Sequence, residues 1–278
     1  MDLRELPDRP HQRHPWETTR ARFFIEVLRH HGLLERPVKV LDVGAGDAYF
    51  ARALLEASPA GSSIVCLDPN YTDANLRAAA DDDPGRLQLT RQRPATQFDL
   101  IVALDVLEHV ADDARLLREL ADEALAADGG VLVSVPAWMP LYIDHDAKLG
   151  HHRRYHPAEL VRVIEQAGLH LNTRGGVFHS LILPRALEKI SELFRGVRSA
   201  PNGGQAHPAC ETGLGRWSCG RLITSAVELA LSADNAVSHL AARIGVGLPG
   251  LSAWALALKS EPTPASARPP RHMSAPAV

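Results

Sequence analysis

The sequence predicts an α/β fold built on a doubly wound, mostly parallel sheet, and three observations carry that expectation. Short apolar, β-branched runs at 38–43, 63–67, 98–104 and 131–135 alternate with segments of helical period, as parallel strands joined by crossover helices require. Gly44 and Gly46 sit where the first run gives way to the helical period of Phe50, Leu54 and Leu55, so the backbone can turn tightly there and let a ligand lie against it. Asp68 ends the second run about twenty residues later, where such folds hold a ribose diol.

Which nucleotide the turn accepts follows from what it lacks. A dinucleotide fingerprint needs a third glycine at position 49, where Tyr49 stands, and no phosphate cradle of the G-x-x-x-x-G-K-[ST] kind is present. Asp42 inside the turn would repel an anion and welcome an ammonium or sulfonium group. The ligand therefore reads as a nucleoside with a cationic tail and no phosphate. Leu41-Asp42-Val43-Gly44-Ala45-Gly46 followed by Asp68 resembles the first two motifs of class I S-adenosylmethionine-dependent methyltransferases, with Ala48 a mild departure from the glycine often found there. The resemblance implies S-adenosyl-L-methionine as cofactor and a Rossmann-like sheet of seven strands with an antiparallel last strand. It also implies cofactor contacts from Asp42, Gly44, Ala45, Gly46, Asp68, Pro69, Asp105 and Arg20. Arg20 closes the stretch His14-Pro15-Trp16-Glu17-Thr18-Thr19-Arg20, which resembles an H-P-W-E-x-x-R entry that folds across the cofactor in some small-molecule methyltransferases. Its plain alternative is a helix cap with Trp16 as hydrophobic staple.

The 278 residues, 45% hydrophobic with a net charge of −3, suit one large domain with an insertion. The scattered basic residues leave no footprint for nucleic acid. Three cysteines and no apolar leader point to a reducing cytoplasm. Cys210, Cys219 and His207 match no metal spacing, so they read as free loop groups.

In chain order, residues 1–37 form an N-terminal cap whose apolar Phe23, Phe24, Val27 and Leu28 predict a helix over 18–32 at the sheet edge. The cofactor-binding core spans 38–176. Within it, 75–80 is a short helix, the acidic 81–85 a solvated turn, 86–90 the third strand, and 91–96 a loop approaching adenine. The run 98–104 needs burial on both faces, so Asp105 to His109 fall at the carboxyl end of a strand beside the ligand crevice. Asp105-Val106-Leu107-Glu108-His109-Val110 resembles the fourth motif of the ubiquinone-biosynthesis O-methyltransferases and their relatives. Asp105 would face the cofactor's methionine end and His109 the acceptor, unless Glu108 and His109 merely cap the next helix, 112–127. Gly129 and Gly130 are expected to close that helix ahead of a strand at 131–136.

The stretch from Trp138 to Tyr155 concentrates site chemistry in one loop. It resembles a D-x-x-x-G-H-x-R-R-Y roof over the acceptor in a methyltransferase subgroup, with Trp138, Tyr142, Arg153, Arg154 and Tyr155 as substrate-binding candidates. Methyl transfer is an in-line displacement, so the enzyme must align the acceptor, exclude water and take a proton from a hydroxyl. An imidazole with an ordinary pKa near 6.5 can do so at neutral pH. His145, His151 and His152 are the candidates, with Asp144 or Asp146 to orient one. No metal is assigned, although His145, Asp146 and His151 could share one. Arg153-Arg154-Tyr155 also reads as an ion-paired lead into the helix that Pro157 starts.

A helix at 158–167 ends at Gly168, and 169–173 begins a sixth strand. Residues 177–249 form an insertion with helices at 184–194 and 222–244 and a Gly/Pro-rich linker at 196–215. The apolar stripe of the second helix is interrupted by Glu228, Asp234 and His239, so it does not span a bilayer. It suits a lid, or peripheral membrane contact reaching a prenylated acceptor. The last strand is 250–259 and the tail, 260–278, reads as disordered. Monomer and homodimer both stay open. The expected activity is methyl transfer to a small-molecule acceptor, most simply a hydroxyl oxygen of a phenolic or prenylated compound. The rivals are carbon or nitrogen methylation, a nicotinamide oxidoreductase, and a non-catalytic cofactor-binding or assembly protein.

Overall fold

A computed structural model describes residues 13–82, 85–198, 217 and 219–259. Seven strands form one sheet: β1 (Lys39–Val43), β2 (Ser63–Leu67), β3 (Leu87–Thr90), β4 (Phe98–Leu104), β5 (Leu125–Pro136), β6 (His170–Val177) and β7 (Ser252–Leu258). Their order is β3-β2-β1-β4-β5-β7-β6. The first five pair in parallel, and β7 runs antiparallel between β5 and β6. The order reverses between β1 and β4, which opens a crevice at their carboxyl ends, where open α/β sheets take ligands.

Eight helices accompany the strands: α1 (Pro15–His30), α2 (Tyr49–Ala57), α3 (Asp73–Asp82), α4 (Asp113–Glu123), α5 (Asp144–Leu149), α6 (Pro157–Gln166), α7 (Ile182–Arg198) and α8 (Arg221–Arg243). Successive strand residues point to opposite faces, so the sheet carries two cores. Val40, Val102, Leu132 and Trp254 meet Phe23, Phe24, Leu28, Leu54 and Leu231 from α1, α2 and α8 on one face. Leu41, Ile101, Val131 and Val133 meet Leu117, Leu120, Leu160 and Ile164 from α4 and α6 on the other. Helix α1 therefore lies across a sheet face, not at the edge. Its Phe23 and Phe24 rings meet the Trp254 indole edge-on at 5.4 and 6.3 Å.

Local chemistry moves several boundaries. Asp112, not Glu108 or His109, caps α4 by accepting from Arg115 N at 3.1 Å. Gly129 and Gly130 do not close α4. They lie inside β5, where Leu125 pairs with Phe98 and Gly130 with Leu100 across a bulge, so strand pairing overrides the turn signal. Asp144 to Leu149 turn into a short helix ended by Gly150 at φ 80°. Strand β6 runs on to Val177, because its partner β7 is long enough to pair throughout. Residues 199–215 of the expected linker and the tail from 260 lie outside the described residues.

Helix α8 is held by polar ties. Asn235 accepts from Phe178 N at 3.3 Å, Ser238 donates to the Gly176 carbonyl at 2.5 Å, and Glu228 accepts from Thr18 on α1 at 2.8 Å. No helix among the described residues is long and apolar enough to cross a membrane.

Candidate active site

Among the described residues, four that are not glycine have left-handed backbone: Ala48, Asp105, Trp138 and Phe178, at φ 58°, 56°, 68° and 62°. They follow β1, β4, β5 and β6, all at the carboxyl edge of the sheet. Strain of this kind gathers where function needs a set geometry.

The first part of the site is the turn after β1. Gly44 and Gly46 take φ 65° and 54°, and a Cβ on Gly44 would stand 2.7 Å from Val106 Cγ2. Asp68 is buried, accepting from Gly46 N at 3.2 Å and Asn70 N at 2.9 Å, so its carboxylate joins the turn to the end of β2. Pro69 is exposed beside it. Asp42 is buried, and burial, with Asp47 and Asp68 nearby, pushes its carboxyl up to about 7. Arg20 reaches from α1 across the crevice to Asp105 and stacks over the Trp16 ring at 4.1 Å. The α1 entry is capped by His14, which accepts from Trp16 N at 3.1 Å.

The second part is a buried polar cluster under the 138–155 stretch. His151 Nδ1 meets Asp146 Oδ1 at 3.0 Å. Arg154 Nη2 donates to the same oxygen at 2.8 Å, Arg185 to Oδ2 at 3.1 Å, and Ile143 N to Oδ2 at 2.9 Å. Burial alone would raise Asp146, but the bonds from His151 and Arg154 outweigh it and hold the carboxyl far below its ordinary range. An ionised carboxylate only accepts, so Nδ1 of His151 carries the hydrogen, and in the neutral imidazole the lone pair is on Nε2. Nε2 lies 4.0 Å from Glu108 Oε1. Glu108 is fully buried, and neither of its carboxyl oxygens has a hydrogen-bond partner among the described residues. Burial, and then the neighbouring Asp105, push its carboxyl well above the ordinary range. His109 stands edge-on to His151 at 4.7 Å. Glu108, His109 and His151 each bring one donor atom to within 4.8 Å of the others, a set that could hold a divalent ion.

The remaining candidates are spread more widely. Arg154 is buried on Asp146 and the Ala137 carbonyl, while Arg153 spans Asp113 at 3.1 Å and the Ala111 carbonyl at 2.8 Å. Tyr155 donates to Asp113 at 2.7 Å and pairs with Ala137. These three residues form the ion-paired lead into α6. Tyr142 donates to the His151 carbonyl at 2.8 Å, whereas Trp138 turns away, its indole donating to Gly250 at 2.8 Å and its ring on His156. His145 is half-buried, and burial and Arg185 lower its pKa. His152 is exposed, and its backbone N–H reaches inward to the Glu108 carbonyl. That backbone bond, 2.7 Å long, ties the loop to the segment that follows β4. Sequence reasoning missed two members of the cluster. Arg185 comes from α7, 39 residues from the aspartate it grips, and nothing local signals that contact. Glu108 was legible only as a carboxylate at the end of an apolar strand.

A family model described as a methyltransferase domain matches residues 11–174. The chain belongs to the methyltransferase-domain family. Enzymes of this kind take the methyl group from S-adenosylmethionine. A ubiquinone biosynthesis O-methyltransferase of Idiomarina loihiensis is 28% identical over 163 residues, covering 51% of this chain and 66% of that protein. One from a Methylobacterium species is 28% identical over 188 residues, covering 56% and 72%. Among solved structures, a protein assigned as a sarcosine dimethylglycine methyltransferase from Galdieria sulphuraria superposes with a TM-score of 0.51 at 17% identity. That match covers 87% of this chain and 85% of the other, and it supports the fold.

Proposed function

We propose that this methyltransferase moves the methyl group of S-adenosylmethionine to a hydroxyl oxygen of a small, largely apolar acceptor, with His151 as the base. The observation that carries the reading is the Asp146–His151 pair. An aspartate held anionic fixes the imidazole tautomer and stabilises the imidazolium that forms when Nε2 takes a proton. In the proposed step the acceptor oxygen forms a bond to the methyl carbon, the carbon–sulfur bond breaks, and the hydroxyl proton passes to His151. Arg20 and Asp105 would part to take the carboxylate and ammonium of the cofactor's amino-acid end, Asp68 would hold the ribose, and Asp42 would face the cationic tail.

An apolar stripe on the outer side of α7, turned away from Arg185, supports an acceptor carried by a membrane. Leu183, Leu187, Ile190 and Phe194 line one exposed side of α7, the helix whose Arg185 joins the cluster. Such a stripe suits peripheral contact with a membrane that holds a prenylated or phenolic acceptor. The ubiquinone-biosynthesis relatives, which are O-methyltransferases by name, favour oxygen over carbon or nitrogen.

The test pairs His151→Asn with Asp146→Asn in single-turnover assays with labelled cofactor and a panel of phenolic and prenylated compounds, read by mass spectrometry. Loss of a proton acceptor should slow transfer on the order of 10²–10⁴-fold with cofactor affinity retained. Unchanged turnover in His151→Asn would remove the base from the mechanism. A product methylated on carbon would overturn the oxygen assignment.

A further inference from the structure

Helix α8 turns its charges inward. Glu228 meets Thr18 and Arg22 of α1, Asp234 takes the Ser180 hydroxyl at 3.1 Å, and His239 lies against the Phe23 and His30 rings. Between the end residues Arg221 and Arg243, the outward side of this 23-residue helix carries no charge. Five large side chains there, Leu222, Ile223, Leu229, Val237 and Leu240, and Ile244 at the C-cap are 55–88% exposed. A contiguous apolar surface of this size marks an interaction site.

The spacing says what kind of partner it fits. Leu222, Ala226, Leu229, Ala233, Ala236 and Leu240 step by alternating fours and threes, the seam that one helix offers another in knobs-into-holes packing. The outer four positions of the seam mirror one another in sequence, and the central two pair large with small. When a second α8 runs antiparallel with a two-fold axis at the level of Leu231, Leu222 meets Leu240, Ala226 meets Ala236, and Leu229 covers Ala233. Each position finds a complementary one on an identical helix, as an isologous contact requires. The alanines in the middle let the two backbones approach closely.

We propose that two copies of this chain associate through α8 packed antiparallel on α8. The flanks agree with that register. On one side Ile223 falls beside Val237 and Ala230 beside its own counterpart, and on the other Ser232 lies near Ser232, so no like charges are opposed along the seam. Arg221 of one copy comes level with Ala241 of the other, two residues from that copy's Arg243, so the charges stand at the two ends and leave the seam between them apolar. The length of the seam, about 33 Å at 1.5 Å per residue, and the six large side chains offer on the order of 700 Å² per copy, where a standard interface takes roughly 800 Å² from each partner.

Sedimentation equilibrium of the full-length protein at micromolar concentration tests the proposal. The wild type should sediment with the mass of two chains. Leu229→Glu, which alters an exposed side chain, should weaken association at least tenfold, with circular dichroism and cofactor binding unchanged. The double variant Leu229→Lys with Ala233→Glu sets opposite charges against each other across the interface only in the antiparallel register, so it should sediment as two chains again. A single-chain mass for the wild type overturns the proposal, as does a dimer indifferent to Leu229→Glu or a double variant that stays monomeric. Vesicles of phosphatidylglycerol and phosphatidylcholine provide the competing arm: a wild type that is single in buffer and pellets with vesicles through Leu229 would assign the face to lipid and remove the dimer.

Discussion

A buried carboxyl that titrates near neutrality, at the end of β1 where the proposed reading seats the cofactor's cation, would make cofactor affinity depend on pH. Asp42, raised to about 7 by burial, is half protonated near that pH in the empty protein, and a sulfonium or ammonium group would favour its ionised form. Cofactor affinity measured by calorimetry should therefore rise with pH up to about 7, by at most about tenfold per pH unit, and level off above it. Asp42→Asn should flatten the profile and lower the plateau. The linked stability has the opposite sign for the empty protein. A carboxyl whose folded pKa lies above its unfolded value contributes stability that is complete below the unfolded pKa, near 3.9, and is lost as pH rises through about 7. The thermal shift on adding S-adenosylmethionine should accordingly grow between about pH 6 and pH 8. Gly44 is a second decisive residue. Gly44→Ala should cost about 1–2 kcal/mol for the left-handed backbone, more for the Cβ that would stand 2.7 Å from Val106, and should abolish cofactor binding. Adding Val106→Ala should recover part of the stability in urea melts but not the strain.

Among elements, the short helix α5 and the arginines around it form the most tightly specified piece. Asp146 is buried and gripped by Arg154 and Arg185, so Asp146→Ala leaves the buried Arg154 guanidinium without its carboxylate, while Arg185 keeps Glu188 at 3.1 Å. We expect a loss of about 3–5 kcal/mol in chemical denaturation, and a smaller one for Arg185→Ala, whose helix lies outside the sheet. Because the Asp146 carboxyl is held below its ordinary range, its contribution is present above the unfolded pKa and fades as pH falls below about 4. Much of the element pattern was legible in the sequence because parallel strands buried on both faces read as unbroken apolar runs, as at Phe98–Leu104. The glycine turn and Asp68 were legible because backbone freedom and ribose recognition tie them to fixed spacing. The Gly129-Gly130 pair misled, since glycine marks a helix end and a bulged strand equally well. The clamp on Asp146 could not be read, because Arg185 approaches through tertiary packing and carries no local periodic signal.

At the scale of the whole molecule, α1 and α8 pack as a unit on one face of the sheet. α1 carries Arg20 to Asp105, and α8 is bound to α1 through Glu228 and to the sheet edge through Asn235 and Ser238. Ordering of the cofactor's amino-acid end by Arg20 should slow amide exchange along both helices and leave α6, on the opposite face, unchanged in hydrogen-exchange mass spectrometry. Protection confined to the glycine turn would show that α1 is fixed in place before the cofactor arrives. The sheet also sets an order of events for a growing chain. β7 lies between β5 and β6, although it is the last of the seven strands in sequence. Until the ribosome has made it, β5 keeps an open hydrogen-bonding edge, β6 has no neighbour, and the Trp254 socket for Phe23 and Phe24 is empty. Nascent chains halted before Ser252 should therefore be clients for chaperones and prone to edge-to-edge aggregation.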